Sequence, residues 1–422
     1  MLNQLLPLYD QLAEQTGRDP KLLRETANAS QRVGDIHQRL GRLAPAEAAY
    51  QRAIARFHDL ESIGQLDTIT QLNRARTHSS LATIWNRQHQ AEQATAELLR
   101  TVALLEPLAV SSPTPAVRLE LARTHYLLGV HQRPIPGHDP LPELPRRPPV
   151  NLSSRDREGV VIRQDLRPLP DGRGSFHHRR EPFGPIRNAA AIEQLNTAIV
   201  LLSELLIKHP REPEFRHLLA LCHRELASVD VGEAGRNAFE KAVSILQELC
   251  EESPLTADYQ FDLSDAYGRI PMPVPPDQME DCQWRLTRAL SFSAKLVDEQ
   301  PHVADYMELH VHNHHRLARV LRQSNRADEA ATHYAQAFDF QSRLARRHPE
   351  MLAHRLWKAR IARNYAQVLS DPDPAAARTL LENMIAELEP LTPQPADRAA
   401  VNHVLDDLRQ ALRLDDLPLR RP

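Results

Sequence analysis

The sequence predicts an all-α protein built as a solenoid of stacked antiparallel helix pairs. Three observations indicate this fold. A short phrase recurs every 41 to 48 residues, helix-forming residues dominate the composition, and only 13 of the 422 residues are glycine. Self-similarity at this period is typical of helical repeat proteins, in which each repeat buries its apolar face against its neighbours. We therefore expect function on an extended surface and no catalytic pocket.

The recurring phrase marks the joint between one repeat and the next. It places a proline among polar residues, then an aromatic or histidine five residues later. It occurs as KHPREPEFRHLLA, ESPLTADYQFDLS, EQPHVADYMELHV and RHPEMLAHRLWKA, which begin at Lys208, Glu252, Glu299 and Arg347. The period is kept by Pro254, Pro301, Pro349 and Pro390. Proline ends a helix, and the acidic residues that follow suit the start of the next one. Each repeat should thus pair a short first helix with a longer second helix.

The second helix of a repeat carries small and large apolar residues at helical spacing. In one example Ala330, Tyr334, Ala337 and Leu344 form a single stripe, as close helix packing requires. Seven repeats are expected, at 24–60, 72–107, 116–209, 213–252, 257–299, 304–347 and 352–389, with a capping helix at 396–413. Residues 2–16 resemble a second helix without its first. One interpretation is a divergent cap that packs on the next repeat. The alternative is that these residues are a fragment of a longer gene, or a docking face for another protein.

Residues 33–53 match a known repeat pattern most fully. The matching positions are Val33, Gly34, His37, Gly41, Ala46, Tyr50 and Ala53. The pattern resembles the tetratricopeptide repeat (TPR), and residues 81–98 and 317–337 resemble it less completely. The resemblance implies a right-handed superhelix. It also implies a non-enzymatic interaction scaffold that binds a peptide or a partner domain in a concave groove.

Residues 5–54 are similar to the repeat region that follows the kinase domain in large bacterial serine/threonine kinases. This similarity implies an alternative function, a detached regulatory or sensory arm whose partner is a kinase chain. The sequence itself has no glycine-rich phosphate loop after a strand, no HRD-type catalytic loop and no DFG motif. We therefore expect no enzymatic activity and no cofactor.

Composition narrows the classes of partner. The formal net charge of −3 gives no electrostatic basis for nucleic acid or an anionic membrane as the main ligand. The three cysteines, Cys222, Cys250 and Cys282, follow no disulfide or zinc spacing. No uninterrupted run of about 18 apolar residues suggests a membrane span. A cytoplasmic protein is expected.

Residues 134–187 interrupt the third repeat. This stretch holds 11 of the 33 prolines and cannot sustain a helix, so we expect a disordered Pro/Arg-rich insertion. It is either a tolerated loop or a weak PxxP-type peptide ligand. The expected organisation is repeats at 1–133, the insertion, repeats with the cap at 188–413, and a tail at 414–422.

A group of histidines in the sixth repeat suggests two alternatives. His310 and His314 would share a helix face, as two metal ligands do. However, a histidine recurs at one position of the repeat, as His78, His125, His223 and His314, with Tyr267 in another repeat. Recurrence in register favours a packing role between helices, and no metal site is predicted.

The TPR resemblance places the binding residues on the solvent side of the first helices. The candidates are Asn28, Gln31, Asp35 and Gln38 in the first repeat, Arg76, Ser79, Thr83 and Asn86 in the second, and His312, His315, Arg319 and Arg322 in the sixth. The sixth set is basic and would suit an acidic peptide or a C-terminal carboxylate. The alternative is an ordinary solvated helix face.

Overall fold

The structure is a computed structural model, which describes residues 2–15, 19–39, 42–88, 90–132, 189–230, 232–270, 274–349, 351–391 and 397–415. These residues form sixteen α-helices and one 3-10 turn at Pro276–Gln278, and none of them forms a strand. In chain order the helices are α1 (Leu2–Ala13), α2 (Pro20–Arg39), α3 (Leu43–Ser62), α4 (Thr68–Arg87), α5 (Ala91–Ser111), α6 (Pro115–His131), α7 (Ala189–Lys208), α8 (Pro213–Val229), α9 (Glu233–Glu252), α10 (Ala257–Gly268), α11 (Met279–Glu299), α12 (Ala304–Gln323), α13 (Ala327–Arg347), α14 (Leu352–Leu369), α15 (Pro374–Leu388) and α16 (Arg398–Asp415).

The helices α2 to α15 follow the predicted order of two helices in each of seven repeats, which confirms the all-α repeat fold. The even-numbered helices α2 to α14 are the first helices of the repeats, and the odd-numbered helices α3 to α15 are the second helices. From α1 to α8, and again from α10 to α16, each helix packs against the next one in the chain. First helices of neighbouring repeats are also in contact: α2 contacts α4, α4 contacts α6, and α10 contacts α12.

Helix ends follow the predicted signals. Pro254, Pro301, Pro349 and Pro390 each lie two residues beyond the end of a second helix. Asp67 caps α4 by accepting a hydrogen bond from the backbone N–H of Thr70 at 2.7 Å. At the turn between α12 and α13, Asn325 takes the left-handed φ of 57° that glycine takes in many turns.

Two details of the predicted helices are wrong. The first helices are not generally short, since α12 has 20 residues and α13 has 21. Nothing after the joint breaks a first helix until the next turn. The exception is α10, whose 12 residues end at Gly268, shortly before the proline-rich stretch. Also, Pro107 lies inside α5, which runs one more turn to Ser111.

Second helices pack closely because their buried stripe alternates alanine with larger residues. The predicted stripe of α13 is confirmed, since Ala330, Tyr334, Ala337 and Leu344 are all fully buried. In the first repeat, a Cβ atom added at Gly34 would lie 2.5 Å from Cε1 of Tyr50. Only glycine permits this approach of α2 to α3.

The described residues divide into two compact units. The first comprises those up to 132 together with 189–245, and the second comprises 246–415. Within the first unit, α6 and α7 pack against each other over a core that includes Leu119, Tyr126 and Leu195. The third repeat is therefore closed, although its two helices are far apart in the sequence.

One described helix, α7, is long and apolar enough to cross a membrane by length and composition alone. One face of α7 is buried in the core of the first unit through Ala198, Leu202 and Leu205. The helices α6 and α8 pack against α7, whereas Val200 and Ile207 of α7 are exposed. The predicted insertion at 134–187 and most of the tail at 414–422 lie outside the described residues, and the predicted domain limits stay predictions.

Candidate functional site

The candidate site is the first-helix face, the surface along which the first helices of neighbouring repeats meet. Polar side chains join neighbouring first helices across this face. In the first unit, Asn73 of α4 donates to Asn28 of α2 at 3.1 Å, and the hydroxyls of Ser79 and Thr124 lie 3.4 Å apart. In the second unit, Asn313 of α12 donates to Ser264 of α10 at 3.0 Å. Much of the face therefore holds the repeats together.

The candidates of the first repeat are only partly accessible. Asn28, Gln31 and Asp35 are half-buried. Asn28 bonds to α4, and Asp35 accepts a hydrogen bond from the hydroxyl of Tyr50 at 2.9 Å. Gln38 is buried and accepts from the same hydroxyl at 2.7 Å. Of this set, the half-buried Asn28, Gln31 and Asp35 remain in reach of a ligand, and the buried Gln38 does not.

In the second repeat the structure corrects two candidates. Ser79 and Thr83 are only 4% and 8% exposed, so they do not line a binding surface. The reason is that α6 lies alongside α4 and covers this part of the helix. The hydroxyl of Thr83 also donates a hydrogen bond to the backbone oxygen of Ser79 at 3.0 Å. Arg76 and Asn86 stay half-buried.

The charges on this face of the first unit are paired internally. Arg76 lies 3.3 Å from a carboxylate oxygen of Glu120, which is fully buried. Arg123 donates to the same carboxylate at 2.9 Å and to Glu214 of α8 at 2.8 Å. Two guanidinium groups thus meet two carboxylates, and little net charge is left for a ligand.

In the sixth repeat the two histidine candidates are also buried, His312 to 3% exposure and His315 to none. Both rings pack on Trp357 of α14, with centroids 5.2 Å and 5.0 Å away, and His315 also receives a hydrogen bond from Asn364 at 2.9 Å. They are therefore packing residues beneath the face and do not line it. The sequence could not show this, because Trp357 is contributed by the next repeat.

The arginine candidates of the sixth repeat remain at the surface, and a third arginine joins them. We define the arginine row as Arg316, Arg319 and Arg322 of α12, of which Arg319 is half-buried and Arg322 is exposed. Arg316 donates to the backbone oxygen of Gly268 at 2.8 Å, and Arg322 donates to the side-chain amide of Gln367 at 2.5 Å. Sequence reasoning missed Arg316, although arginine at every third position was a readable signal.

The arginine row produces a positive potential that is felt beneath the face. Burial and then the charge of Arg319, with His312, Arg316 and Arg322, hold the pKa of His315 well below its usual range. Burial is the larger cause of this lowered pKa, and the charges of the three arginines act in the same direction. A negatively charged group outside the row would be stabilised by the same field.

The recurring histidine has the packing role that its register predicts. In three repeats its Nδ1 atom bonds to the second helix of the same repeat: His78 to Glu97 at 2.5 Å, His125 to Gln194 at 2.6 Å, and His314 to His333 at 2.9 Å. The partners lie 19 residues apart in the first and last pairs and 69 in the middle pair. The third repeat therefore contains 50 additional residues between equivalent positions.

The histidine cluster of the sixth repeat forms a line and not a metal site. His314 uses Nδ1 toward His333 and Nε2 toward His310, whose Nε2 lies 3.2 Å away. His310 in turn bonds to Ser293 at 2.9 Å through Nδ1. Because these bonds use different atoms of His314, the three rings do not converge on one point. Within the described ranges, no group of three or more histidine, cysteine or acidic side chains is placed to hold a metal ion.

No protein-family model and no curated protein matches the chain. Among solved structures, the chain is similar to a thermophilic TPR protein of Thermus thermophilus, with 15% identity, 68% of this chain and 98% of that chain covered, and a TM-score of 0.32. It is similar to the S. pombe nuclear import adaptor Nro1, with 11% identity, coverage of 80% and 99%, and a TM-score of 0.42. It is also similar to a TPR protein of Parabacteroides merdae, with 11% identity, coverage of 80% and 93%, and a TM-score of 0.34.

Proposed function

We propose that the protein is a non-enzymatic interaction scaffold, and that the arginine row of its second unit binds an acidic segment of a partner protein. The observation that carries the proposal is the row itself. Three arginines follow one another along α12, two of them donate to the neutral oxygens of Gly268 and Gln367, and all three contribute to the lowered pKa of His315 beneath them. A guanidinium group offers a planar fork of donors that matches a carboxylate.

The contrast between the two units favours this location. The corresponding face of the first unit places Arg76 and Arg123 against Glu120 and Glu214, so its charges are mutually neutralised. The chain as a whole is slightly acidic, with a formal charge of −3. An acidic segment would therefore gain no attraction from the net charge of the chain, and a local attraction at the row would favour binding there.

The test measures binding of a fluorescein-labelled, C-terminally amidated octapeptide of alternating glutamate and glycine by fluorescence anisotropy at 50 mM NaCl. The double variant Arg319→Ala/Arg322→Ala should raise Kd at least tenfold, which corresponds to about 1.4 kcal/mol. The matched control is Arg343→Ala/Arg346→Ala, which removes the same charge from exposed positions of the second helix α13. The control should change Kd less than twofold.

Two outcomes would contradict the proposal. Either both double variants weaken the peptide equally, or a peptide with glutamine in place of glutamate binds as tightly as the original. Raising NaCl to 500 mM should weaken binding, because exposed charges are screened over a few ångströms at that ionic strength.

The identity of the partner stays a prediction. A serine/threonine kinase chain is the partner implied by the resemblance of residues 5–54. Affinity capture from the native lysate with the original protein and the two double variants would test it. A kinase recovered by the original and the control, and lost with Arg319→Ala/Arg322→Ala, would support both the partner and the face.

A further inference from the structure

Two neighbouring second helices of the first unit, α5 and α7, expose large apolar side chains to the outside. Each of these side chains is more than half exposed, and they are Leu99, Val110, Val200 and Ile207. We call the outer surface around them the α5–α7 face. Among the described residues, the second helices α3, α9, α13 and α15 expose no large apolar side chain, and α11 exposes only Trp284. Apolar surface confined to adjacent helices is typical of a contact surface.

The helices α5 and α7 are equivalent parts of consecutive repeats. Glu97 of α5 and Gln194 of α7 each bond to the recurring histidine of their own repeat, so these two positions correspond. In the same register Val110 corresponds to Ile207, and both are exposed. Leu201 of α7 packs on a core cluster to which α5 also contributes. The two helices therefore lie side by side and present one continuous face.

A single line of exposed side chains runs along α7. Glu193, Val200 and Ile207 follow one another at intervals of seven residues, about two helical turns, so they point the same way. Lys208 lies beside Ile207 at the end of the helix. Neither Glu193 nor Lys208 forms an ion pair with another described residue. The line thus has an apolar centre, a negative end and a positive end.

A line with this order of charges is complementary to itself when it is reversed. We propose that the α5–α7 face binds a second copy of this chain, about a two-fold axis at the level of Val200. The rotation makes the two α7 helices antiparallel, so Glu193 of each copy lies near Lys208 of the other and Val200 meets its own counterpart. A parallel arrangement would place like charges opposite each other, which disfavours it.

The neighbouring helix α5 fits the same axis. Its equivalent of Val200 is Ala103, an exposed small residue that permits close approach of two helices. Arg100 and Glu106 lie about one turn to either side of Ala103, so the rotation brings Arg100 of one copy level with Glu106 of the other. Arg100 also donates to Glu97 of its own helix through one nitrogen, which leaves its other donors for Glu106. Opposite charges therefore come together on both helices.

The size of the face also suits a dimer. Each helix is about 30 Å long and about 10 Å wide, so the two offer about 600 Å² per copy, or about 1,200 Å² in total, which reaches the lower end of stable interfaces. The remaining carboxylate of this part of α7, Glu204, lies 3.5 Å from Arg118 of the same chain. It therefore adds little net charge to the face.

The test measures the mass of the full chain by analytical ultracentrifugation over a hundredfold range of concentration at low salt. The chain should change from a monomer of 47.9 kDa to a dimer of twice that mass as its concentration rises. Val200→Glu places two carboxylates together on the axis and should raise the Kd of the dimer at least tenfold. The matched control is Leu255→Glu, which changes another exposed apolar residue, in the joint after α9, and should change Kd less than twofold.

Charge reversal tests the axis itself. Glu193→Lys alone and Lys208→Glu alone should each raise the Kd of the dimer at least threefold. The double variant Glu193→Lys/Lys208→Glu should restore Kd to within twofold of the original. Within one helix the two positions are about 22 Å apart, so this recovery can only come from contact between copies.

Three results would overturn the proposal. The chain stays a monomer at every concentration, or Val200→Glu leaves the dimer intact, or the double reversal does not recover the affinity that the single reversals lose. A monomer that co-sediments with phosphatidylcholine vesicles would likewise overturn it and assign the face to a membrane, for which α7 is long and apolar enough.

Discussion

Acidification from pH 7 to pH 5 should destabilise the second unit, because two of its histidines are held neutral. Burial lowers the pKa of His310 to about 4. Burial, together with the neighbouring charges of His310 and His333, lowers the pKa of His314 to about 3. An exposed histidine in the unfolded chain has a pKa of about 6.5. Below pH 6.5 the unfolded chain therefore binds more protons than the fold.

The sign and size of the effect follow from this difference. A histidine whose pKa is lowered by folding leaves the fold at its full stability above pH 6.5. The fold loses stability as the pH falls from 6.5 toward the pKa of the histidine in the folded protein. At pH 5 the free energy of unfolding falls by about 2 kcal/mol for each ring, because the histidine is protonated in the unfolded chain and still mostly neutral in the fold. The rings are joined by a hydrogen bond and titrate as a coupled pair. The pair should lose about 4 kcal/mol in total.

Urea denaturation at the two pH values would measure this loss. In a Trp85→Phe background, the remaining tryptophans, Trp284 and Trp357, both report on the second unit. The variant His310→Gln/His314→Gln should lose about 4 kcal/mol less stability than its parent between pH 7 and pH 5. Replacing the exposed His302 by glutamine is the control and should leave the difference unchanged. A double variant that loses as much stability as its parent would refute the reasoning.

Three further predictions concern packing. Gly34→Ala should lower the free energy of unfolding by about 1–3 kcal/mol, because the new methyl group meets the ring of Tyr50; thermal unfolding that does not change would contradict this close approach. Asn313→Ala should cost about 2 kcal/mol by removing the buried bond to Ser264, and urea denaturation would measure it, with a neutral result excluding a role between repeats. Burial raises the pKa of the Cys222 thiol, so Cys222 should react with a thiol reagent only after urea is added; rapid labelling of the native protein, located by mass spectrometry, would show that this core opens.

The repeats could be predicted because their signals are local. The proline of each joint, such as Pro301, ends a helix through its own backbone. The stripe from Ala330 to Leu344 follows helical spacing within one helix. The recurring histidine was readable as a packing residue, because the same register returns in His78 and His314.

The candidate site could not be predicted as well, because its accessibility depends on the neighbouring repeat. Thr83 and His315 lie at helix positions that would face solvent in an isolated pair. In the fold, the first helix of the next repeat and residues such as Trp357 cover them.

The closed third repeat has a practical consequence for protein engineering. Its helices pack as a hairpin although 57 residues separate His131 from Ala189. Only three residues connect α12 to α13. By polymer statistics, closing the longer connection costs only about 3 kcal/mol more. The burial of side chains such as Tyr126 and Leu195 between the helices offsets this cost. A reporter domain or an affinity tag inserted between α6 and α7 should therefore be accepted at this position better than at any three-residue turn.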